Sequence, residues 1–368
     1  MLTGTSLNRF RENLVTWFSQ FQRDLPWRHT QDPYPIWLSE VMLQQTRVVA
    51  AIPYFERFLE RFPTVGALAA APQEEVLRLW SGLGYYSRAR NLQRAAQEIV
   101  NRHNSKFPED WESALQLPGI GNYTAAAVLS IAYGKQFAVL DGNVARVLAR
   151  LLAIRGDLRA NGTWQELQQT ANQLLEAHAP GNWNQALMEL GATLCTPRSP
   201  QCLLCPVSEF CEARKQGLVE LIPEKRKKRS TVEITLASVV FCNPNNRTLL
   251  LPPPKSNTKS ADADDIPALL SRMWHFPTVS FQGEPEPHLK KHLQKTFLKW
   301  KANKIRLIPL KTAHHAVTYR SITIFPFRMD VEKLPKVPGS KSLPLSDLSS
   351  IAISNLTRKV ARAAISSL

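Results

Sequence analysis

One carboxylate in the sequence lies inside an apolar helix, where it could act as an acid. Residues 35–46 are predicted to form a largely apolar helix, and Glu40 is the only acidic residue among them. On a helix, Glu40 shares a face with Ile36 and Leu43. Burial raises the pKa of a carboxyl group because it disfavours the charged form, so Glu40 could donate a proton near neutral pH. The alternative is a half-exposed helix glutamate without a chemical role.

A second carboxylate, Asp141, directly precedes a run of residues with helical character. Aspartate at such a position commonly caps the helix by accepting hydrogen bonds from its first backbone N–H groups. Capping is therefore the ordinary interpretation of Asp141, and a catalytic role is the alternative. One residue can do both.

About twenty residues before Asp141, two glycines lie in a short turn between two predicted helices. The turn, Leu-Pro-Gly-Ile-Gly, spans residues 117–121. Gly119 and Gly121 permit a tight turn, and they leave backbone N–H groups at the start of the second helix free to hold a DNA phosphate. An ordinary pair of antiparallel helices with glycine at the turn is the alternative.

Four of the five cysteines fall within one short segment. Their spacing is C-x6-C-x2-C-x5-C, formed by Cys195, Cys202, Cys205 and Cys211. Clustered cysteines in a chain with no recognisable secretory signal favour a metal site over disulfide bonds. The ligands alone suit either zinc or a [4Fe–4S] cluster. The fifth cysteine, Cys242, is expected to be buried in a strand.

The composition favours a globular protein with a polyanionic partner. Of the 368 residues, 44% are hydrophobic, which excludes a disordered chain, and the formal net charge is +16. Such a charge favours binding to phosphate groups, although a merely basic surface is the simpler interpretation. No apolar run is long enough to predict a transmembrane helix.

The elements that must position these residues change in type near residue 230. Apolar residues recur at helical spacing through the first part of the chain, and no strand pattern precedes residue 230. Strands are predicted at 232–241 and 318–329, with a basic helix at 288–300. The sequence therefore predicts a multi-domain protein with an all-α domain over residues 1–222, a basic linker over 223–231 and an α+β domain over 232–368.

Two segments of the first domain carry a resemblance to a known superfamily. The turn at 117–121, followed by Val-Leu-Asp-Gly-Asn-Val at 139–144, resembles the helix–hairpin–helix DNA glycosylases. The aspartate after the hairpin is catalytic in that superfamily, which implies this role for Asp141. The segment around Glu40 resembles that of the MutY-type adenine DNA glycosylases, whose glutamate protonates the departing base. The cysteine spacing matches the iron–sulfur loop of endonuclease III and MutY-type enzymes at all four positions, which implies a [4Fe–4S] cluster.

The resemblance also implies which residues contact the substrate. Trp27 and Arg28 correspond to a wall of the adenine pocket. Asn184 and Gln185 correspond to residues that contact the edge of the base. Gln44 and Gln45 correspond to the segment that fills the space left by the flipped base. The tyrosine of a second wedge corresponds to Tyr85.

The same resemblance predicts an enzyme that removes the base without cutting the DNA strand. Tyr123 stands at the hairpin position where endonuclease III-type lyases carry a nucleophilic lysine, and it is counted here with the catalytic residues. Ala145 stands where the MutY pattern often has a lysine. Both substitutions favour a monofunctional glycosylase.

The C-terminal domain resembles the Nudix-like domain of the MutY-type proteins through Trp-His-Phe-Pro at 274–277. The glutamate cluster of a catalytic Nudix box is not visible in the sequence, so the domain is expected to bind and not to hydrolyse. In the family this domain recognises 8-oxoguanine through a loop usually written Phe-Ser-His. The corresponding residues are Val317, Thr318 and Tyr319, of which Thr318 keeps a hydroxyl group.

The resemblance therefore implies an adenine DNA glycosylase that acts as a monomer on double-stranded DNA containing an 8-oxoG:A or G:A mispair. A cytoplasmic location at the nucleoid is expected. One alternative is a non-catalytic iron–sulfur sensor of DNA damage. Another is a related glycosylase for mismatched thymine or oxidised pyrimidines. The missing Nudix box disfavours a free-nucleotide pyrophosphatase.

Overall fold

The computed structural model of the chain describes residues 3–224, 230–253, 266–270, 272–297 and 305–367. The chain folds into two units. The first comprises Met1–Ala70 and Asn91–Lys227, and the second comprises Ala71–Arg90 and Lys228–Leu368. This division differs from the expected boundaries because residues 71–90, which precede the hairpin in the sequence, belong to the second unit.

Polar contacts to distant residues hold residues 71–90 in the second unit. Ser81 Oγ donates to the carbonyl oxygen of Ile353 at 2.9 Å and accepts from Arg358 Nη2 at 2.8 Å. Lys341 Nζ lies 2.6 Å from Glu74 Oε1. Helical spacing could not predict that residues 71–90 belong to the second unit, because the apolar pattern of a helix is the same whichever unit covers it.

The described residues before 225 are helical and contain no strand, as expected. Their helices are α1 (Gly4–Phe21), α2 (Pro33–Leu43), α3 (Val48–Arg61), α4 (Val65–Ala70), α5 (Gln73–Leu79), α6 (Ser87–Arg102), α7 (Trp111–Gln116), α8 (Asn122–Tyr133), α9 (Gly142–Leu151), α10 (Asn161–Leu174), α11 (Pro180–Thr193) and α12 (Glu212–Lys215).

The helices that carry the candidate site are buried around most of their circumference. The residues of α2 from Tyr34 to Met42 are all buried, as are those of α8 from Thr124 to Ser130. Helices that are apolar on all sides belong in a protein interior. The helices α2 and α8 pack against each other, and α11 packs against both α8 and α9.

The second unit contains a mixed sheet. Its strands are β1 (Val232–Cys242), β2 (Arg247–Leu250), β3 (Thr278–Ser280), β4 (Ile308–Pro309), β5 (Ala313–Val317), β6 (Arg320–Asp330) and β7 (Lys341–Pro344). The main sheet has the order β3-β1-β6-β4, with β5 also paired to β6, and β2 pairs with β7 separately. The strands β1 and β6 are parallel along their whole length, with Val232 opposite Arg320 and Cys242 opposite Asp330.

Both faces of this sheet are covered, so the last seven residues of β1 are all buried, and β6 contributes apolar side chains to both faces. Ile322 and Ile324 of β6 belong to one buried cluster, together with residues of α15 (Asn355–Ile365). Phe327 and Met329 belong to a second cluster, together with Leu289 and other residues of α14 (Pro285–Thr296). The described part of the second unit also contains the short helix α13 (Ile266–Leu269). The expectation of an α+β C-terminal domain is therefore confirmed.

The boundaries of individual elements differ from the predicted ones. The strand expected at 318–329 begins at Arg320, because Thr318 has a left-handed backbone with φ +54°. The helix expected at 288–300 is Pro285–Thr296, and residues 298–300 lie outside the described part of the chain, as do residues 225–229 of the basic linker. Cys242 is buried at the end of β1, as predicted. Among the described residues, no helix combines the length and hydropathy needed to cross a membrane.

Candidate active site

A cavity of about 650 Å³ in the first unit brings together ten of the residues predicted from the sequence. They line it from the 3₁₀ turn before α2, from α2 and its C-terminal loop, from the hairpin, and from α8, α9 and α11: Trp27, Arg28, Glu40, Gln44, Gln45, Gly119, Gly121, Tyr123, Asp141 and Gln185. These residues are more than 150 positions apart at the extremes of the chain, so only the fold could place them around one cavity.

Glu40 is held in the wall of the cavity by the start of α2. Asp32 caps this helix by accepting from the backbone N–H of Tyr34 at 2.9 Å. Glu40 is 6% exposed, and burial raises its pKa to about 7. The nearby charge of Asp141 also raises this pKa, whereas a hydrogen bond from Tyr123 and the charge of Arg28 lower it. Glu40 therefore exchanges its proton near neutral pH, as the sequence predicted.

Tyr123 contacts Glu40 directly. It is the second residue of α8, and its hydroxyl group donates to Oε2 of Glu40. The same oxygen lies 3.5 Å from the sulfur of Met188. Burial, and then the charges of Glu40 and Asp141, hold the pKa of Tyr123 well above its usual range. Tyr123 therefore keeps its proton and donates a hydrogen bond to Glu40.

Asp141 is both a helix cap and a wall of the cavity. Its Oδ1 accepts from the backbone N–H groups of Asn143 at 2.9 Å and Val144 at 2.7 Å, and its Oδ2 accepts from Asn143 Nδ2 at 3.1 Å. Burial raises the pKa of Asp141, and these hydrogen bonds oppose the rise because they stabilise the charged form. Asp141 therefore caps α9 and also lines the cavity, so its position is compatible with both the capping role and the catalytic role that the sequence left open.

A buried carboxylate that the sequence reading missed also lines the cavity. Glu189 of α11 is 1% exposed. Arg23 binds it with Nε at 2.7 Å and Nη2 at 2.8 Å, and Arg28 Nη2 binds it at 2.8 Å. Burial alone would raise the pKa of Glu189, but the bonds from the two arginines outweigh burial and lower it. The sequence offered one sign of this residue, a single glutamate within a largely apolar helix, which is also the pattern that identified Glu40.

The two glutamines after α2 differ in their setting. Gln44 follows the last residue of the helix, and its Nε2 donates to Thr124 Oγ1 at 3.3 Å. Gln45 is exposed at the cavity rim and has a left-handed backbone, with φ +57°. A glutamine rarely adopts this conformation. Gln45 therefore lies at the cavity rim on an unusual backbone, directly after the segment that carries Glu40.

Of the neighbours on α11, Gln185 lines the cavity but Asn184 does not. Asn184 is buried, accepts from the backbone N–H of Val139 at 3.0 Å, and donates to Ser130 Oγ and the Phe137 carbonyl oxygen, both at 2.8 Å. Because its amide is fully used inside the protein, the expectation that Asn184 contacts a base is wrong.

The two hairpin glycines are not equivalent. Gly119 has φ +80°, and a Cβ atom there would lie 2.7 Å from the Cβ of Asn91. Gly121 has φ −110°, and a Cβ atom there would meet nothing within 4 Å. The hairpin therefore requires glycine at position 119. Gly121 precedes α8 and offers no side chain to cap the first N–H groups of that helix, which have no partner within the helix.

Two predicted residues lie in the second unit. Tyr85 is 40% exposed with φ +46°, and the guanidinium of Arg88 lies 5.5 Å from the centre of its ring. Thr318 is exposed in the turn between β5 and β6, and its hydroxyl donates to the carbonyl oxygen of Val317 at 2.7 Å. Both therefore lie at the surface of the second unit with left-handed backbone.

The four clustered cysteines form a loop between α11 and α12. Burial, and then the nearby thiols of Cys195, Cys211 and Cys202, raise the pKa of Cys205 to about 12. Thiolates brought this close to one another need a cationic partner, which fits an iron–sulfur cluster. No three described His, Cys, Asp or Glu side chains are arranged to bind one metal ion, and a cluster does not require this because its cysteines bind separate irons.

Two arginines of α9 connect the cysteine loop to the helix that Asp141 caps. Arg146 donates from Nη2 to Asn143 Oδ1 at 3.0 Å and from Nε to the carbonyl oxygen of Cys195 at 2.8 Å. Arg150 is fully buried and donates from Nη1 to Cys195 Sγ at 3.3 Å. The sequence reading missed both, although two arginines one turn apart in an apolar helix were a visible signal.

Comparison with known proteins gives matches along most of the chain. Residues 38–175 match the HhH-GPD superfamily base excision DNA repair proteins, and residues 195–211 match the iron–sulfur binding domain of endonuclease III. The chain is 34% identical over 398 residues to the adenine DNA glycosylase of Mus musculus, covering 96% of this chain and 77% of the relative.

Solved structures match over a little more than half of the chain. A thermostable thymine-DNA glycosylase superposes with a TM-score of 0.53 at 29% identity and covers 57% of this chain and 97% of its own. A trapped covalent intermediate of endonuclease III with DNA superposes with a TM-score of 0.51 at 24% identity, covering 59% of this chain and 100% of its own, which shows a shared fold.

Proposed function

The chain belongs to the adenine DNA glycosylases, and we propose on this premise that its preferred substrate is adenine paired with 8-oxoguanine in double-stranded DNA. The family membership makes it a DNA N-glycosylase of base excision repair that removes adenine, and one that carries a [4Fe–4S] cluster. Adenine paired with guanine is the second proposed substrate, and the proposed acting form is a monomer.

The observation that carries the proposal is the pairing of two different carboxylates in one cavity. Glu40 has a pKa of about 7 and is available as an acid. Burial raises the pKa of Asp141 above its ordinary value, and three hydrogen-bond donors oppose this rise by favouring its anion. Two carboxyl groups whose surroundings separate their roles in this way are the arrangement by which glycosidic bonds are broken.

Glu40 supplies the proton that adenine needs to leave. Adenine is a poor leaving group as an anion, so protonation at N7 lowers the barrier to breaking the bond between the base and the sugar. The base must first leave the duplex to reach a buried acid. Tyr123 orients the Glu40 carboxyl group through its hydrogen bond to Oε2.

Asp141 stabilises the positive charge that develops on the sugar as the base departs. An anion fixed by backbone N–H groups before the reaction needs no reorganisation when the charge appears. Water then completes the hydrolysis. Because Tyr123 occupies the hairpin position of the lyase lysine, no amine forms a covalent bond with the sugar, and the enzyme is monofunctional.

The remaining cavity residues hold the base and the duplex. Trp27 and Arg28 form a wall of the base pocket, and Gln185 contacts the polar edge of adenine. The exposed Gln45 and its neighbour Gln44 enter the duplex where the base has left. The N–H groups that follow Gly119 and Gly121 bind a backbone phosphate.

The cluster and the second unit have supporting roles in this proposal. Cys195, Cys202, Cys205 and Cys211 hold the cluster, which ties the loop after α11 together and has no part in the chemistry. In the second unit, Thr318 contacts the 8-oxoguanine and Tyr85 enters the duplex as a second wedge. The sequence of this unit has no Nudix glutamate cluster, which supports binding without hydrolysis.

Adenine release from single-mispair duplexes tests the proposal. Duplexes containing 8-oxoG:A, G:A or T:G are incubated with the full chain, and alkali is added afterwards to cut the abasic product. We expect adenine release only, fastest opposite 8-oxoguanine. Release of thymine from T:G would favour the mismatched-thymine alternative, and tight binding without any release would favour the damage sensor. Strand cleavage before alkali, with a protein–DNA adduct trapped by borohydride, would contradict a monofunctional enzyme.

A further inference from the structure

A groove in the second unit collects positive charge. Its volume is about 520 Å³, and it lies between residues 309–314, which run from the end of β4 into β5, and the C-terminal half of α15. Lys311 and His314 line one side, and Lys359 and Arg362 line the other. The described residues that line it include no acidic side chain.

The cations of the groove have no counter-charge within the described part of the chain. Lys311 and Arg362 are exposed and make no ion pair there. Lys359 Nζ donates to the carbonyl oxygen of His314 at 2.6 Å, which holds its ammonium group at the start of β5. Three like charges around one groove repel one another, and an anion placed between them would remove this cost.

We propose that this groove binds backbone phosphates of the DNA duplex, in a contact separate from the base pocket and from the turn at Thr318. The inference rests on the proposed function, because it assumes that the second unit faces DNA. The open shape suits a continuous backbone. Apart from the imidazole of His314, the described lining has no aromatic ring on which a nucleotide base could stack, and its apolar residues are small or aliphatic, such as Leu310 and Ala363.

The strand β5 fixes the distance between this groove and the turn. Five residue steps separate Ala313 from Thr318, and an antiparallel strand rises about 3.4 Å per residue, so the two places are about 17 Å apart. Along a duplex axis that follows β5, this distance equals about five base-pair steps of about 3.4 Å. A duplex that runs along β5 would therefore meet the groove with its backbone about five base pairs from the base that Thr318 contacts.

The salt dependence of DNA binding tests the proposal. The full chain is titrated with a 25-base-pair duplex in which 8-oxoguanine lies opposite an uncleavable abasic-site analogue, at several salt concentrations. The plot of log K against log salt has a negative slope, and each lost phosphate contact should make it shallower by about 0.9. The triple variant Lys311→Gln, Lys359→Gln, Arg362→Gln should lose about 2.7 from the slope, and the double variant that keeps Lys359 about 1.8.

The matched control removes the same charge from the same unit. Lys291, Lys333 and Lys336 are exposed and lie outside the groove, so their triple change to Gln should leave most of the slope intact. Melting curves check that every variant is folded. An equal slope for the groove variant and the control variant would overturn the proposal.

Two further arms separate the sources of phosphate and the two proposals. Calorimetry with ADP tests a free nucleotide: ADP binding that the triple variant loses, with an unchanged DNA slope, would overturn the DNA assignment.

Shortening one duplex arm to three base pairs should reduce the wild-type slope to that of the triple variant, and no reduction with either arm shortened would contradict it. An undamaged duplex gives the same comparison even if the protein releases no adenine, so failure of the proposed function is recognised separately.

Discussion

The hydroxyl group of Tyr123 donates a hydrogen bond to Oε2 of Glu40, and this contact joins the first turn of α8 to the middle of α2. It opposes the effect of burial. Burial raises the pKa of Glu40 to about 7, and the Tyr123 hydroxyl lowers it because the hydrogen bond stabilises the carboxylate. Burial and this hydrogen bond are therefore the two largest influences on the pKa of Glu40, and they act in opposite directions.

The rate of adenine excision should fall as pH rises through about 7, because Glu40 must be protonated to act and its pKa is about 7. The measurement is single-turnover excision from an 8-oxoG:A duplex between pH 5.5 and 9. Glu40→Gln should lower the rate below pH 7 by about 10³-fold while duplex binding persists. A wild-type rate that rises steadily to pH 9 would show that Glu40 is not the acid.

Tyr123→Phe should move this fall in rate to higher pH. The change removes a hydrogen bond that lowers the pKa of Glu40, so the acid stays protonated further into the alkaline range. Tyr34→Phe is the matched control, because Tyr34 is a buried tyrosine whose hydroxyl donates to the Phe62 carbonyl oxygen at 2.8 Å and does not line the cavity. If both variants keep the wild-type pH profile, Tyr123 has only a structural role.

Asp141→Asn should separate capping from catalysis. Asparagine caps helices about as well as aspartate, so the melting temperature should change little, whereas loss of the anion should slow excision by about 10³-fold. Asp110→Asn serves as the control, since Asp110 caps α7 by accepting from the backbone N–H of Ser113 at 2.8 Å. Comparable excision rates in the two variants would mean that Asp141 is a cap alone.

Alanine substitutions of the hairpin glycines should differ in their effect on stability. Gly119→Ala should cost about 1–3 kcal/mol of unfolding free energy, because φ is +80° and the new Cβ would meet Asn91. Gly121→Ala should cost less than about 1 kcal/mol, because its φ is negative and nothing lies within 4 Å of the new Cβ. Urea unfolding of the two variants makes the comparison, and equal losses would refute the strain argument.

Thr318→Ala should reduce the preference for 8-oxoG:A over G:A by roughly fivefold, the value of about 1 kcal/mol for one hydrogen bond. Thr318→Ser keeps the hydroxyl group and should keep the preference. The measurement is the ratio of excision rates from the two duplexes at limiting enzyme. An unchanged ratio in the alanine variant would assign lesion reading to other residues.

The sequence identified much of the cavity because its residues occur in continuous motifs. Glu40, Tyr123 and Asp141 each lie in a segment whose local pattern is recognisable, and the pKa of Glu40 follows from the apolar residues around it. Glu189 was not recognised as a site residue because its role depends on its ion pairs with Arg23 and Arg28, which are more than 160 positions away in the sequence. No local pattern encodes such a pairing.

The fold was predictable to a similar extent. Helical spacing before residue 225 reflects local burial and was recognised correctly. The segment of β1 was recognised as a strand from its β-branched residues, although its last seven residues are all buried and do not alternate. The start of β6 was misjudged because the left-handed turn at Thr318 is formed by a residue type that rarely adopts it. The placement of residues 71–90 depends on which distant surface covers them, and periodicity contains no information about the partner.

The placement of residues 71–90 has a consequence for synthesis on the ribosome. Ser81 bonds to the carbonyl oxygen of Ile353, which is 272 residues later in the chain. At about 5–20 residues per second, the segment emerges roughly 14–54 s before that partner exists. During this interval the nascent chain carries Ser81 and Glu74 without the residues that bind them in the native state. Residues 71–90 therefore cannot make all of their native contacts until the C-terminal helix, which carries Arg358, has been synthesised.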